Sequence, residues 1–377
     1  MKFIITAEII PVSFPLEKPF SNHVRPITHI NGLVIRLFTQ DEIEGQGFIY
    51  GLSNIVPSNI IPHVKDIIEK LYEKSEDIKN SDQLMSHWNQ CWHTYRSVKC
   101  TLEELYAIAV VDIAIWDIFT KTNRVSLHQF LGAHLPKIPA YGTTGWLSFS
   151  IQELIAECKF YKQRGVHAFK LRLGHADDYA RVKAIREAMG KDFMLMVDAN
   201  QRYTPEQAAK IVKDLSEFNI TWIEEPTRNH LADIAEIKQN SCLPIALGEN
   251  IIETEDFEAI CQGKLTDYLQ LDIPRCAGIT GFCEIAKMAL KYHIPLCSHL
   301  LYELSVNLVA AFPHGYMVEY DNLLPADIFV ENHAVRDGYL IPPTTSGNGA
   351  TLTERSLMKY KTTVLAFEQE EKHAFFL

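Results

Sequence analysis

A (β/α)₈-type barrel joined to a smaller α+β domain is the fold this sequence predicts, and three observations predict it. Asp198, Glu224 and Glu249 recur 26 and 25 residues apart, each closing a short apolar run (FMLMVDAN, ITWIEEP, LPIALGEN). That spacing is one strand plus one helix of a parallel α/β repeat. From about residue 137, strand candidates alternate with helical stretches, the strand ends falling 20 to 30 residues apart. No glycine-rich phosphate loop follows the first of these strands, as a doubly wound open sheet would want.

Along the chain, MKFIITAEIIPV is interrupted by Glu8 and reads as a first strand rather than a cleavable signal segment. NGLVIRLF and GQGFIYG are β-prone runs on either side of a charged turn, TQDEIEG. Residues 60–74 and 102–122 have helical periodicity, and the second is apolar around much of its circumference, which predicts a helix packed between domains. These segments form the α+β part, residues 1–125. The barrel, residues 126–350, has strand ends near Tyr141–Thr143, Lys170–Arg172, Asp198, Glu224, Glu249, Asp272, His299 and Glu319, with helices over 151–163, 177–189, 204–217 and 279–292. The tail, 351–377, carries a helix near 352–360 and an extended VLAFEQ run that returns to the smaller domain.

Bulk properties narrow the function. The chain has 377 residues, 47% hydrophobic and 22% charged, as in ordinary globular proteins. A net charge of -11 argues against a nucleic-acid binder. No run of 18 apolar residues exists, so no membrane span is expected. The eight cysteines are scattered without a CxxC pair and read as free thiols in a reducing compartment, the cytoplasm.

In a barrel, side chains at the C-terminal strand ends converge on one site. Lys170, Arg172, Asp198, Glu224, Glu249, Asp272, His299 and Glu319 would then share it. Three converging carboxylates repel one another unless a cation intervenes, and an all-oxygen set suits a hard divalent ion, foremost Mg²⁺. A metal on a substrate carboxylate would make the adjacent C–H more acidic, and Lys170 would add positive charge at the same oxygens. His299 is a natural general base near neutral pH, and Asp272 on the preceding strand could fix its tautomer. Glu319 would bond the substrate carboxylate if protonated and orient other groups if ionised.

FKLRLG, MVDANQ, WIEEPT, LGENI, LQLDIPRCAGIT, PLCSHL and MVEYDN, in this order, resemble the enolase superfamily and its mandelate racemase subgroup. AIAVVDIAIWDIFTKTNRVSLHQFLGA resembles the family's passage from capping domain to barrel. The resemblance implies a (β/α)₇β barrel under an α+β capping domain, a bound Mg²⁺, and abstraction of a proton α to a carboxylate. It implies a His299–Asp272 dyad, Lys170 as the lysine that neutralises the substrate carboxylate, and Asn200 and Glu225 near the pocket. It also implies capping loops near residues 16–30 and 48–50, where His23, Arg25 and Tyr50 are candidates to touch the distal end of a polar substrate. Homo-oligomers, dimers or octamers, accompany this family.

Two positions depart from the family pattern. Arg172 stands where the subgroup's racemases carry a second lysine as base on the opposite face. A guanidinium stays protonated and is a poor base, but it suits an anionic or polyhydroxylated ligand. Ala277 replaces a usual glycine, which either narrows the pocket or repacks the strand exit. One base suffices for a dehydratase, so the expected activity is syn dehydration of an aldonate or aldarate to a 2-keto-3-deoxy acid. The alternative is a racemase or epimerase of an α-hydroxy or amino acid. A non-catalytic scaffold on a degenerate barrel would be expected to lack some of these groups.

Overall fold

The computed structural model describes residues 3–21, 26–52, 54–74, 77–368 and 375–376. The chain opens with an antiparallel meander, β1 (Ile4–Ser21), β2 (Pro26–Thr39) and β3 (Glu44–Gly51). Its charged turn lies at the TQDEIEG segment, and Phe38 pairs with Glu44 across it. Three helices follow: α1 (Pro57–Lys74), α2 (Ser81–Arg96) and α3 (Leu102–Thr122).

Helix α3 starts at a reciprocal cap, in which Thr101 accepts from the Glu104 amide and the Glu104 side chain accepts from the Thr101 amide. Every residue from Leu105 to Thr120 is buried, as expected of a helix covered on all sides. Two of the three glycines of GQGFIYG, Gly45 and Gly47, permit part of this: a Cβ on Gly47 would lie 1.9 Å from the Val110 carbonyl oxygen. The helix backbone therefore sits directly on β3. On its other side, buried Asp112 accepts from Trp88 Nε1 (2.7 Å), the Thr280 amide (3.0 Å) and Thr280 Oγ1 (2.6 Å). Burial raises the Asp112 carboxyl to about 6 despite these donors. Replacing Asp112 with Ala strands several buried donors at once and is expected to cost about 3 kcal/mol of stability. A urea unfolding midpoint unchanged from wild type would contradict this.

After a short helix, α4 (Leu127–Phe130), the barrel strands begin. They are β4 (Ile138–Gly145), β5 (Ala168–Arg172), β6 (Met194–Asp198), β7 (Ile220–Glu224), β8 (Ile245–Leu247), β9 (Tyr268–Asp272), β10 (Leu296–His299) and β11 (Gly315–Tyr320). The helices between them are α5 (Ile151–Gln163), α6 (Asp178–Met189), α7 (Pro205–Leu215), α8 (Leu231–Asn240), α9 (Thr254–Gln262), α10 (Ile279–Lys291) and α11 (Tyr302–Val309). All eight strands are parallel neighbours in sequence order, and β11 pairs back onto β4. This is a closed eight-stranded barrel with seven helices alternating between its strands. A two-residue strand, β12 (Tyr339–Leu340), runs antiparallel beside β4.

The tail forms α12 (Glu354–Tyr360), β13 (Leu365–Glu368) and β14 (Phe375–Phe376). Strand β13 pairs antiparallel with β1, so the N-terminal sheet has the order β14-β13-β1-β2-β3. Residues 365–368 of the VLAFEQ run thus return to the first sheet. Arg36 secures the return by bonding Glu8 (3.1 Å) and Glu44 (2.8 Å) within the sheet and Glu354 (2.6 Å) on α12. No helix among the described residues is long and apolar enough to cross a membrane.

Candidate active site

Strand register aligns the polar ends. Arg172 is the lateral neighbour of Asp198, Asp198 of Glu224, and Asp272 of His299. Side chains alternate along a strand, so the residues two positions earlier share the interior face. Met196, Trp222, Cys297 and Met317 accordingly form a packed plug below the acids. Gln270, two before Asp272, donates to Glu224 Oε2 (2.9 Å) and Tyr141 OH (3.1 Å). Glu249 differs slightly from expectation. Strand β8 ends at Leu247, and Gly248 (φ 140°) carries the chain to Glu249 beyond it.

The barrel mouth holds a run of left-handed, non-glycine residues: Asn200, Gln201, Glu225, Ala277, Leu300 and Leu301, all with φ between 42° and 60°. Such conformations cost roughly 1–2 kcal/mol each for L-residues and persist where surrounding bonds over-determine them. Here the Asn200 amide donates to Asp198 Oδ1 (2.8 Å) and the Leu300 amide to Glu319 Oε2 (2.8 Å). Strained turns therefore bond to the polar groups at the strand ends.

Asp198, Glu224 and Glu249 are buried, and each offers an oxygen within 4.8 Å of the others. Burial pushes the Asp198 and Glu224 carboxyls up, Arg172 and Lys170 only partly offsetting it. Burial acts likewise on Glu249, but His299, Lys170 and Arg172 outweigh it and hold that carboxyl below its usual range. Glu249 Oε2 is buried without an aligned hydrogen bond, although His299 Nε2 lies 3.1 Å away. Asn200 and Asn250 each donate to the other oxygen, Oε1, at 3.0 Å. Three buried carboxylate oxygens converging in this way fit a hard divalent cation, Mg²⁺.

Lys170 is fully buried, 2.7 Å from Glu224 and 2.8 Å from Glu319. It does not line the cavity at the barrel mouth. Burial would raise Glu319, but Lys170 and His299 hold it at about 2, so it is ionised. Of the two roles open to Glu319, the orienting one fits this charge state. Glu225 is buried and accepts from Gln201 (2.5 Å) and from Asn250 (3.2 Å), which also donates to Glu249.

His299 Nδ1 lies 2.7 Å from Asp272 Oδ2. Asp272 is itself held by the Arg275 amide, which donates to Oδ1 at 2.9 Å. Burial lowers the His299 imidazolium pKa, but Glu249, the Asp272 bond and Glu319 outweigh it and raise the group to about 9. With Nδ1 engaged by the carboxylate, Nε2 is the nitrogen left for proton transfer.

A cavity of about 210 Å³ joins His299, Asp198, Glu249, Asn200 and Arg172. Arg172 donates to Asp198 Oδ2 at 2.7 Å, and its guanidinium lies 5.3 Å from the Trp146 ring centre. Trp146 in turn stacks on Phe20 of β1, with ring centres 3.8 Å apart and planes at 4°. The N-terminal sheet therefore packs directly on the cavity wall. Ala277 is buried and does not line the cavity, and its carbonyl accepts from Trp92 Nε1 at 2.8 Å. The methyl group belongs to the strand-exit packing.

Of the three candidates from the N-terminal region, His23 and Arg25 lie outside the described residues. Tyr50 is buried and is absent from the cavity wall, because its hydroxyl donates to Asp321 (3.3 Å) and Glu303 (3.4 Å). Ser21, Leu52 and Asn54 line the cavity from that side instead. Sequence reasoning also passed over Trp146, Arg202, Asn250 and Arg275, which line it too. Asn250 carried a signal, its place beside Glu249. The others had none stronger than position in a loop.

Comparison with known proteins agrees with this geometry. Residues 4–132 match the model of the mandelate racemase/muconate lactonizing enzyme N-terminal domain, and residues 153–356 match the enolase C-terminal domain-like model. L-talarate/galactarate dehydratase of Salmonella typhimurium is 29% identical over 360 residues, covering 93% of this chain and 88% of that protein. The 3,6-anhydro-α-L-galactonate cycloisomerase of Streptomyces coelicolor is 31% identical over 278 residues, 72% and 77% of the two chains. The crystal structure of the Salmonella dehydratase with Mg and L-lyxarohydroxamate superposes with a TM-score of 0.88 at 27% identity, covering 98% of this chain and 95% of that one.

Proposed function

Because this chain belongs to the mandelate racemase/muconate lactonizing enzyme family of the enolase superfamily, we propose that it is a Mg²⁺-dependent acid-sugar dehydratase. One observation carries the reading. His299, bonded to Asp272, adjoins a three-carboxylate cluster in a cavity where Arg172, at the position of a second base, is a cation tied to Asp198. The similarity to L-talarate/galactarate dehydratase supports a polyhydroxylated acid as substrate.

Asp198, Glu224 and Glu249 hold the cation, which supplies Lewis acidity at the substrate carboxylate. His299 Nε2 removes the C2 proton, and Asp272 keeps Nδ1 protonated and the ring oriented. Buried Lys170 offsets the negative charge that develops at the carboxylate through its field. The imidazolium then returns its proton to the departing 3-hydroxyl, which leaves as water. The remaining enol tautomerises to the 2-keto-3-deoxy acid. Ionised Glu319 fixes Lys170 and the Leu300 amide, and Asn200 fixes Glu249. Arg172 stays protonated and orients Asp198, which speaks against proton transfer on a second face and hence against the racemase reading.

The test is the semicarbazide-trapped 2-keto product formed by the Mg²⁺-loaded protein from a panel of aldonic and aldaric acids. Product from none of them would remove the reading. His299 gives a second check. Glu249 is the foremost group raising its pKa, so neutralising Glu249 with a cation lowers that pKa. The ring is expected to titrate near 9 in protein stripped of divalent ions and lower with saturating Mg²⁺. Since the base must be neutral, the rising limb of the rate profile moves to lower pH with it. An NMR titration of His299, assigned by comparison with a His299→Asn variant, that ignores Mg²⁺ would contradict the shared site.

This reading takes residues 1–125 with 351–377 as the capping domain and 126–350 as the catalytic barrel. Family membership supports a homo-oligomer, a dimer or octamer, which light scattering would size. The scattered free thiols support a reducing compartment, the cytoplasm.

A further inference from the structure

Resting on the acid-sugar reading, we propose that Arg202 is the subsite for a second carboxylate, so that the preferred substrate is a diacid (an aldarate) rather than an aldonate. Three arginines line the cavity, and two are committed. Arg172 bonds Asp198 at 2.7 Å, and Arg275 bonds the Glu249 carbonyl. The Arg202 side chain, exposed to solvent at the edge of the cavity, makes no hydrogen bond or ion pair among the described residues, while its backbone is firmly held.

The loop after β6 turns through left-handed Asn200 and Gln201. The Gln201 amide donates to the Glu225 carbonyl (2.8 Å) and the Arg202 amide to the Ala199 carbonyl (3.1 Å). Tyr203 then bridges to Thr227, whose hydroxyl donates to the Tyr203 carbonyl at 2.9 Å. The side chain lies flat on Gly174, where a Cβ would come within 2.3 Å of Arg202 Nε and 2.5 Å of Cζ. The loop thus presents a pre-positioned guanidinium with no protein anion to satisfy it, in the same cavity as His299 and the metal cluster.

The substrate's reacting end takes its charge compensation from the three-carboxylate cation site and Lys170. What remains for Arg202 is the far end. A hexonate ends in a neutral hydroxymethyl group, whereas a hexarate ends in a carboxylate that a guanidinium can engage through two parallel hydrogen bonds.

The experiment measures kcat/KM for configuration-matched pairs, with galactarate and galactonate as the first, on Mg²⁺-loaded wild type, Arg202→Gln and Arg202→Lys. Wild type is expected to favour the diacid. Arg202→Gln should lower the diacid-to-monoacid ratio about tenfold, chiefly through KM, and Arg202→Lys should restore part of it. A wild-type preference for monoacids, or a ratio unmoved in Arg202→Gln, overturns the proposal while leaving the dehydratase reading intact. If no acid is dehydrated, that reading falls. Calorimetric binding of galactarate and galactonate to the same Mg²⁺-loaded proteins then decides this one, which stands only if Arg202→Gln weakens the diacid selectively.

Discussion

Replacing His299 with Asn is expected to lower dehydration and C2–hydrogen exchange together by about 10³-fold or more, the span lost with a principal general base. Asparagine keeps a polar group at the end of β10 but cannot accept and return a proton near neutral pH. The loss should fall on kcat. Since His299 is not one of the converging carboxylates, the variant should still gain thermal stability from Mg²⁺. Retained activity would remove His299 from the chemistry. Loss of the Mg²⁺ response as well would show that the substitution had damaged the cation site and not only the base.

The second large effect concerns Glu224. It stands between Asp198 and Glu249 in the cluster and accepts from Lys170 (2.7 Å) and Gln270 (2.9 Å). Glu224→Gln removes a charge from the cation site while keeping the side chain's size. At Mg²⁺ a hundredfold above its dissociation constant, wild type gains about 2.7 kcal/mol of stability by mass action. The variant should gain little at the same concentration, and dehydration should fall to near background. An equal Mg²⁺-induced rise in melting temperature in both proteins would contradict the three-carboxylate site.

Much of this architecture is legible in the sequence because the barrel places its polar groups at one kind of position. Asp198, Glu224, Asp272 and His299 each close an apolar run, and each ends a strand. Period and charge therefore coincide there, which makes the strand ends readable. Glu249 is two residues past its strand because the chain turns at Gly248 (φ 140°), a break that the apolar run before it does not mark. Helices α5, α6, α7 and α10 carry amphipathic periods or caps that mark them.

Other elements lack such marks. Helix α11 is eight residues long and buried throughout, so no polar face betrays its period. Helices α8 and α9 span ten and nine residues, and neither opens with a side-chain cap. Helix α2 has an Asn80 cap, but its run is dominated by polar and aromatic residues. At the site, Tyr50 sits where the capping region approaches the barrel, yet two buried acids brought in from Glu303 and Asp321 take its hydroxyl. Contacts between residues more than 250 positions apart have no local signature. Arg202 is the same kind of case, since its importance depends on the close approach to Gly174 that the missing Cβ allows and on the absence of a side-chain partner, neither of which a sequence displays.

The most direct measurement of the central claim is proton NMR of the Mg²⁺-loaded enzyme in D₂O, following C2 and C3 of each acid sugar. The expected result is a 2-keto-3-deoxy product, loss of the C3 hydroxyl, and no accumulation of a C2-inverted isomer. Deuterium entering C2 with inversion, and no keto acid formed, would contradict it, because that outcome requires a second base on the face where Arg172 stands.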